Sequence, residues 1–250
     1  MHILNIHYLP LSIPYYLILI VLLAVAIAWV QIRAMEYAYD RIGIPLKYFY
    51  FLLIFSLVGS YINIPVASLP NEQVLSGQIV SFYGMPYVIP EVVNWPGTMI
   101  AVNIGGAVIP FLVSLYLVAK FRIYLQALLA IIMVTLVCHQ LAHAVRGVGI
   151  AEPNFVPTLA TAFTALVISR KYAAPIAYIA GSMGTLIGAD LLNLDRVRGL
   201  GAPVASIGGA GTFDGIFITG ILAVMIAGLL TPRSRNKWRP IKQSGTNANR

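Results

Sequence analysis

The sequence predicts an all-α polytopic membrane protein of about seven transmembrane helices, with one small β-hairpin outside the bilayer. Three observations lead there. The 250 residues are 59% hydrophobic and only 10% charged, where a soluble domain carries about 25% charged residues. Apolar runs recur at lengths close to the ~20 residues that a helix needs to cross a ~30 Å hydrocarbon core. The basic residues, finally, gather in alternate connections between those runs, as the positive-inside rule requires.

The runs fall at roughly 11–31, 48–67, 97–118, 123–143, 155–169, 173–193 and 203–230. No Lys or Arg precedes the first, so it lacks the basic flank of a signal peptide and is expected to be a retained span. Between runs two and three, residues 67–96 hold Ile79, Val80, Phe82, Tyr83, Tyr87 and Val88 around the turn signal Gly84-Met85-Pro86, which predicts a hairpin. Run five, opened by Pro153 and Pro157, is short, rising ~22 Å as a helix. Residues 1–231 are expected to form a single integral domain, and 232–250 a basic, disordered cytoplasmic tail. A faint internal echo links Asn103-Ile104-Gly105-Gly106-Ala107 to Ser206-Ile207-Gly208-Gly209-Ala210, and Gly59-Ser60 to Gly181-Ser182. It predicts parallel repeats, spans one to three and five to seven, joined by span four.

Net charge is +8, but its layout follows topology, which argues against a nucleic-acid partner. With the N-terminus outside, the inner segments hold Arg33, Arg41, Lys47, Lys120, Arg122, Arg170, Lys171 and the six cations of the tail; only Arg146, Arg196 and Arg198 lie outside. The expected location is the cell membrane, multi-pass, with the N-terminus out and the C-terminus cytoplasmic. Expected partners are the lipid bilayer, a small solute or ion, and further copies of the chain. The single cysteine, Cys138, excludes an internal disulfide and is expected to be a small packing residue.

Candidate functional residues lie in the outer halves of the last spans. Asp214 follows Gly208, Gly209, Gly211 and Thr212, about ten residues into an apolar stretch. A charge near the middle of a span costs ~2.5–3.5 kcal/mol on insertion scales, so such a group marks function by default. The glycines permit broken helix, which at that depth is tolerated only inside protein or along a wet cavity. Asp190, with Asn193 three residues on, lies at a similar expected depth in span six. The bland alternative for Asp190 is a cap on backbone amides at the start of span seven. If the two aspartates share a low-dielectric site, one pKa rises, as a proton-coupled site or an acid/base dyad requires. Asn63 and Asn103 add uncharged polar groups that could line a solute path or simply bond between helices. His139 and His143, spaced i, i+4 in span four, are a weak metal pair, and Glu152 follows in the loop. No organic cofactor is expected; a bound cation or divalent metal is the inorganic partner these residues would allow.

Residues 173–194, with Ala-Pro-Ile-Ala-Tyr-Ile-Ala-Gly and Gly-Thr-Leu-Ile-Gly-Ala-Asp-Leu-Leu-Asn-Leu, and residues 206–223, with Ser-Ile-Gly-Gly-Ala-Gly-Thr-Phe-Asp-Gly-Ile-Phe, resemble the archaeal and bacterial membrane-protein family called domain of unknown function 1614. The resemblance implies one membrane fold and no particular chemistry. Presenilin-type proteases are a poor match, since Asp190 follows Ile187-Gly188-Ala189 and Asp214 follows Gly211-Thr212-Phe213, not Gly-x-Gly. Site-2-type metalloproteases fit only in outline, because Gln140 stands where their helix carries a glutamate. The leading expectation is therefore a proton- or cation-coupled carrier centred on Asp214 and Asp190. The alternatives are an intramembrane hydrolase that uses these aspartates catalytically, and a non-catalytic membrane scaffold.

Overall fold

A computed structural model describes residues 13–70, 72–82, 85–95, 97–145, 149–153, 155–198, 200–209 and 215–231. It contains seven α-helices: α1 (Ile13–Arg41), α2 (Leu46–Gly59), α3 (Ile109–Phe121), α4 (Tyr124–Leu141), α5 (Phe155–Ile168), α6 (Ala173–Thr185) and α7 (Gly215–Leu229). Four helical segments are long and apolar enough to cross a membrane: Pro14–Arg41, Ile104–Phe121, Tyr124–Leu141 and Ala173–Val197. The apolar helices of the second, fifth and seventh runs are shorter, each between 10 and 17 residues.

The chain is mostly helical as expected, but the expectation of a single hairpin outside the helices needs correcting. Runs two, three and seven each combine a helix with an extended segment: β1 (Asn63–Ser68) after α2, β4 (Met99–Asn103) before α3, and β7 (Val204–Ile207) before α7. These pair in the order β1-β4-β7, antiparallel for β1/β4 and parallel for β4/β7. The local reason is legible. Ile62, Ile64 and Val66 flank Pro65, and Ile100 and Val102 alternate in β4; β-branched residues favour strands and proline cannot continue a helix. Pro65 sits beside a bulge in the β1/β4 register, a position where its missing N–H costs no ladder bond. Once helix is abandoned in an apolar setting, strand pairing satisfies the backbone.

β2 (Glu72–Phe82) and β3 (Met85–Trp95) form the expected hairpin, longer than the residues around its turn suggested and paired from Glu72↔Trp95 to Phe82↔Met85. A second, minor hairpin, β5 (His143–Val145) with β6 (Gly149–Ala151), follows α4.

Helix α6 is the axis of the bundle. Every residue from Ala173 to Thr185 is buried, and most are small. Lipid supplies no hydrophobic drive between helices, so close backbone approach through small residues provides the packing. At the α6/α7 crossing, a Cβ added to Gly181 would lie 2.9 Å from the Cα of Gly220. By contrast, α1 packs only through its last turns, where Met35, Ala38, Tyr39 and Ile42 are buried and Tyr39 meets Phe49 and Tyr178.

Cationic side chains tie one end of the bundle together. Arg41 donates to the Thr231 carbonyl at 2.9 Å, and Lys120 to the Gly43 carbonyl at 2.5 Å. Phe121 stacks against Tyr172, and a groove joins the end of α5 to Leu230. The C-terminal ends of α1, α3, α5 and α7 therefore share one side, with Arg41, Lys120, Arg170 and Lys171. The three-stranded sheet lies toward the other side.

Candidate functional site at the glycine junction

The two Gly-Gly motifs meet at this sheet. β4 leaves through a π-helical turn, Ile104–Val108, into α3, and β7 ends at Gly208 and Gly209, both with positive φ (93° and 79°). A Cβ on Gly106 would lie 1.8 Å from the Gly208 carbonyl oxygen, and one on Gly208 would lie 2.6 Å from the Ala107 amide nitrogen. Backbone touches backbone here, and only glycine fits. The sequence echo thus corresponds to a strand, a glycine pair and a helix following in the same order on parallel neighbours. The Gly59/Gly181 echo has no such counterpart: Gly59 ends α2, whereas Gly181 lies inside α6.

Asn103 organises the junction. It is 1% exposed, and its Nδ2 donates to the Ser60 carbonyl at 2.7 Å and to Asn63 Oδ1 at 3.1 Å. Its Oδ1 accepts the Gly106 amide at 2.8 Å, which caps the π turn. Ser206 Oγ lies 2.7 Å from both Asn63 Oδ1 and the Gly209 carbonyl. One hydroxyl proton can serve only one of these acceptors at a time. Ser56 Oγ donates to the Gly105 carbonyl at 2.9 Å. The predicted Asn63 and Asn103 thus belong to one network that spans β1, β4 and β7.

Asp190 joins that network from α6. The helix loosens into a π stretch, Leu186–Asp190, and then a 3-10 helix, Leu191–Val197. Asp190 Oδ2 accepts the Gly208 amide at 2.7 Å. The carboxylate therefore holds the end of β7, the amide-capping role open to it from the sequence. Asn193 is fully buried; its Nδ2 donates to the carbonyls of Gly188 (2.8 Å) and Ala189 (3.0 Å), where the π stretch gives way to the 3-10 helix. Among the described residues its Oδ1 has no partner, and neither does the buried Thr135 Oγ1 on α4. Buried polar atoms are normally satisfied, so such orphans mark places for water or a bound ion.

A second polar focus adjoins. The Cys138 thiol lies 3.5 Å from Thr185 Oγ1, within hydrogen-bonding reach of Glu152 and within electrostatic reach of Asp190. Gly188 is what lets the π stretch come this close: a Cβ there would lie 2.5 Å from the Thr135 carbonyl and 2.8 Å from Cys138 Cβ. Sequence reasoning placed Cys138 in the packing, where it is, but missed that the Glu152 carboxyl reaches it. The available signal was Glu152 in the connection that follows the fourth apolar run.

Of the other candidates, Gly211, Thr212 and Asp214 lie outside the described residues; α7 begins at Gly215. The histidines do not share a helical face, because α4 ends at Leu141 and Ala142 is extended. His143 is exposed in β5, its Nδ1 3.2 Å from the Leu141 carbonyl. Among the described residues no three His, Cys, Asp or Glu side chains are grouped to hold a metal ion.

Residues 57–226 match the family described as protein of unknown function (DUF1614), which is 170 of the 250 residues. The chain belongs to the DUF1614 family. The DUF1614 match begins within α2 and ends within α7, so it takes in the whole junction and leaves α1 and the basic tail outside. No curated protein and no solved structure matches the chain.

Proposed function

We propose that this DUF1614 protein is a small membrane carrier that binds a proton or a monovalent cation at Asp190. The observation that carries the reading is the bond from the Gly208 amide to Asp190 Oδ2. It couples a titratable group to the point where two interrupted segments, the π stretch of α6 and the end of β7, meet. Carriers commonly place their sites where spans are broken and backbone amides and carbonyls are freed. Loading Asp190 with a proton weakens its hold on that amide, since a neutral carboxyl is a poorer acceptor than a carboxylate. The unpartnered Asn193 Oδ1 and Thr135 Oγ1, with Glu152 and Thr185 close by, supply oxygen ligands of the kind a hard cation prefers. Asp214, which precedes α7 in the sequence and lies outside the described residues, is proposed on sequence grounds as the second carboxylate, with Thr212, Gly209 and Gly211 beside it in the chain.

The test is thermal stability of the purified protein titrated with sodium, potassium and pH. A ligand that binds the folded state raises the midpoint by mass action. The expected result is a cation- or pH-dependent rise that disappears in Asp190→Asn and Asp214→Asn. A midpoint insensitive to every cation and to pH contradicts the proposal.

The same bond supports a second reading, a scaffold whose buried polar groups serve only to fix packing. On that reading Asp190→Asn lowers the midpoint and changes no response to ions.

A further inference from the structure

The opposite end of the bundle carries a different feature. Helix α5 has 14 residues and rises ~21 Å, short of the ~30 Å hydrocarbon core. Ser169 and Arg170 follow directly, so they sit at or inside the boundary of the acyl region unless the bilayer thins around them. A guanidinium at that depth requires a counter-charge or must reach for one.

Among the described residues Arg170 has no hydrogen bond and no ion pair, in contrast to Arg41 and Lys120 on the same side. Arg41 is engaged by Thr231 and Tyr37, and Lys120 by Gly43. Arg170 instead lines a groove of about 600 Å³ with Ser169, Phe163, Val167 and Leu230, a volume within the range of small-molecule sites. The groove walls are apolar and open sideways: Phe163, Val167 and Leu230 are 69%, 68% and 66% exposed. The polar groups sit at the α5 end of the groove. Ser169 Oγ accepts the Tyr172 amide at 3.3 Å, so its hydroxyl proton is free to be donated outward.

We infer that this groove is a binding site for an anionic phospholipid, with an acyl chain along Phe163, Val167 and Leu230 and the phosphate on Arg170 and Ser169. Charge complementarity selects the occupant. A planar guanidinium pairs with phosphate through two parallel N–H···O bonds, and a neighbouring hydroxyl adds a third donor. The apolar walls demand a hydrocarbon chain attached to that phosphate. Lys171, held over the Tyr172 ring at 5.0 Å, adds positive potential beside the site and favours a net negative headgroup over a zwitterionic one. The lipid would also cover the polar turn between α5 and α6, which a short helix leaves close to hydrocarbon.

The experiment uses the full chain, delipidated in neutral detergent and titrated under native mass spectrometry with short-chain phosphatidylglycerol, phosphatidylcholine, glycerol phosphate and inorganic phosphate. One phosphatidylglycerol should be retained per chain, about tenfold more tightly than phosphatidylcholine, with neither soluble phosphate binding. Arg170→Gln should weaken phosphatidylglycerol about tenfold, and Val167→Trp should block the groove while the cation remains. Thermal unfolding confirms that both variants fold. The inference is overturned if both variants retain phosphatidylglycerol as wild type does, which would assign binding to the basic tail. Equal binding of glycerol phosphate, which would make this a headgroup-only anion site, or of phosphatidylcholine overturns it too.

Discussion

The two halves of this molecule solve the same problem differently. Toward the side holding Arg41 and Lys120, backbone polar groups are satisfied inside continuous helices, and packing rests on small residues, as where Gly181 faces Gly220. Toward the other side the helices give way to strands, π turns and a 3-10 helix, and side chains such as Asn103, Ser206, Asp190 and Asn193 take over. Regular helix is self-sufficient and needs no polar side chains. Interrupted backbone needs them, and each one kept in an apolar setting must either hold the structure or serve a ligand. That difference between the halves is the reason the binding site proposed above is placed at the glycine junction.

Substitutions that add one methyl group break the comparison most severely. Gly106→Ala drives a Cβ into the Gly208 carbonyl, backbone against backbone, where neither side can rotate away. Overpacking typically costs ~1–3 kcal/mol and occasionally more, and this variant should reach the upper end or fail to accumulate as folded protein. Gly228→Ala, in the other half, meets only side-chain atoms, those of Arg41 at 3.2 Å and the Tyr37 hydroxyl at 3.4 Å, and should shift the unfolding midpoint little. Equal losses from the two glycines would erase the distinction between the halves.

Polar deletions come next. Asn103→Ala strands the Ser60 carbonyl and the Gly106 amide, and should destabilise by about 1–3 kcal/mol. Ser114→Ala, in α3, removes a buried hydroxyl with no partner among the described residues and should be neutral or mildly stabilising. Thermal melts of the two variants in detergent check the contrast. A smaller loss than at Asn103 is expected at Arg41→Gln, which withdraws the guanidinium donor from the Thr231 carbonyl at a part-buried site and should cost about 0.5–1.5 kcal/mol.

Much of the architecture was legible in the sequence. Each apolar run produced a helix, Gly84-Met85-Pro86 marked the long hairpin, and the short fifth run became the 14-residue α5. The β1-β4-β7 sheet was not foreseen. In an apolar run, hydropathy does not separate strand from helix, and pairing across Asn63, Asn103 and Ser206 depends on tertiary contacts at separations of 40 residues and more. At the site, Asp190, Asn193, Asn63, Asn103, Gly208 and Gly209 were identifiable as polar or glycine residues inside apolar runs, and the fold gathers them at the junction. Glu152 reaching Cys138 was not legible, because the approach depends on how the connection between α4 and α5 folds back. The i, i+4 spacing of His139 and His143 puts both on one face only while the helix continues, and α4 stops at Leu141, which hydropathy did not reveal.

The most direct measurement of the central claim is charge movement on a solid-supported membrane when a sodium or proton concentration jump is applied to reconstituted protein. It requires no knowledge of the solute. The wild type should give a saturable transient that Asp190→Asn abolishes while the unfolding midpoint stays within a few degrees. No transient in the wild type, or an undiminished one in Asp190→Asn, would contradict the account.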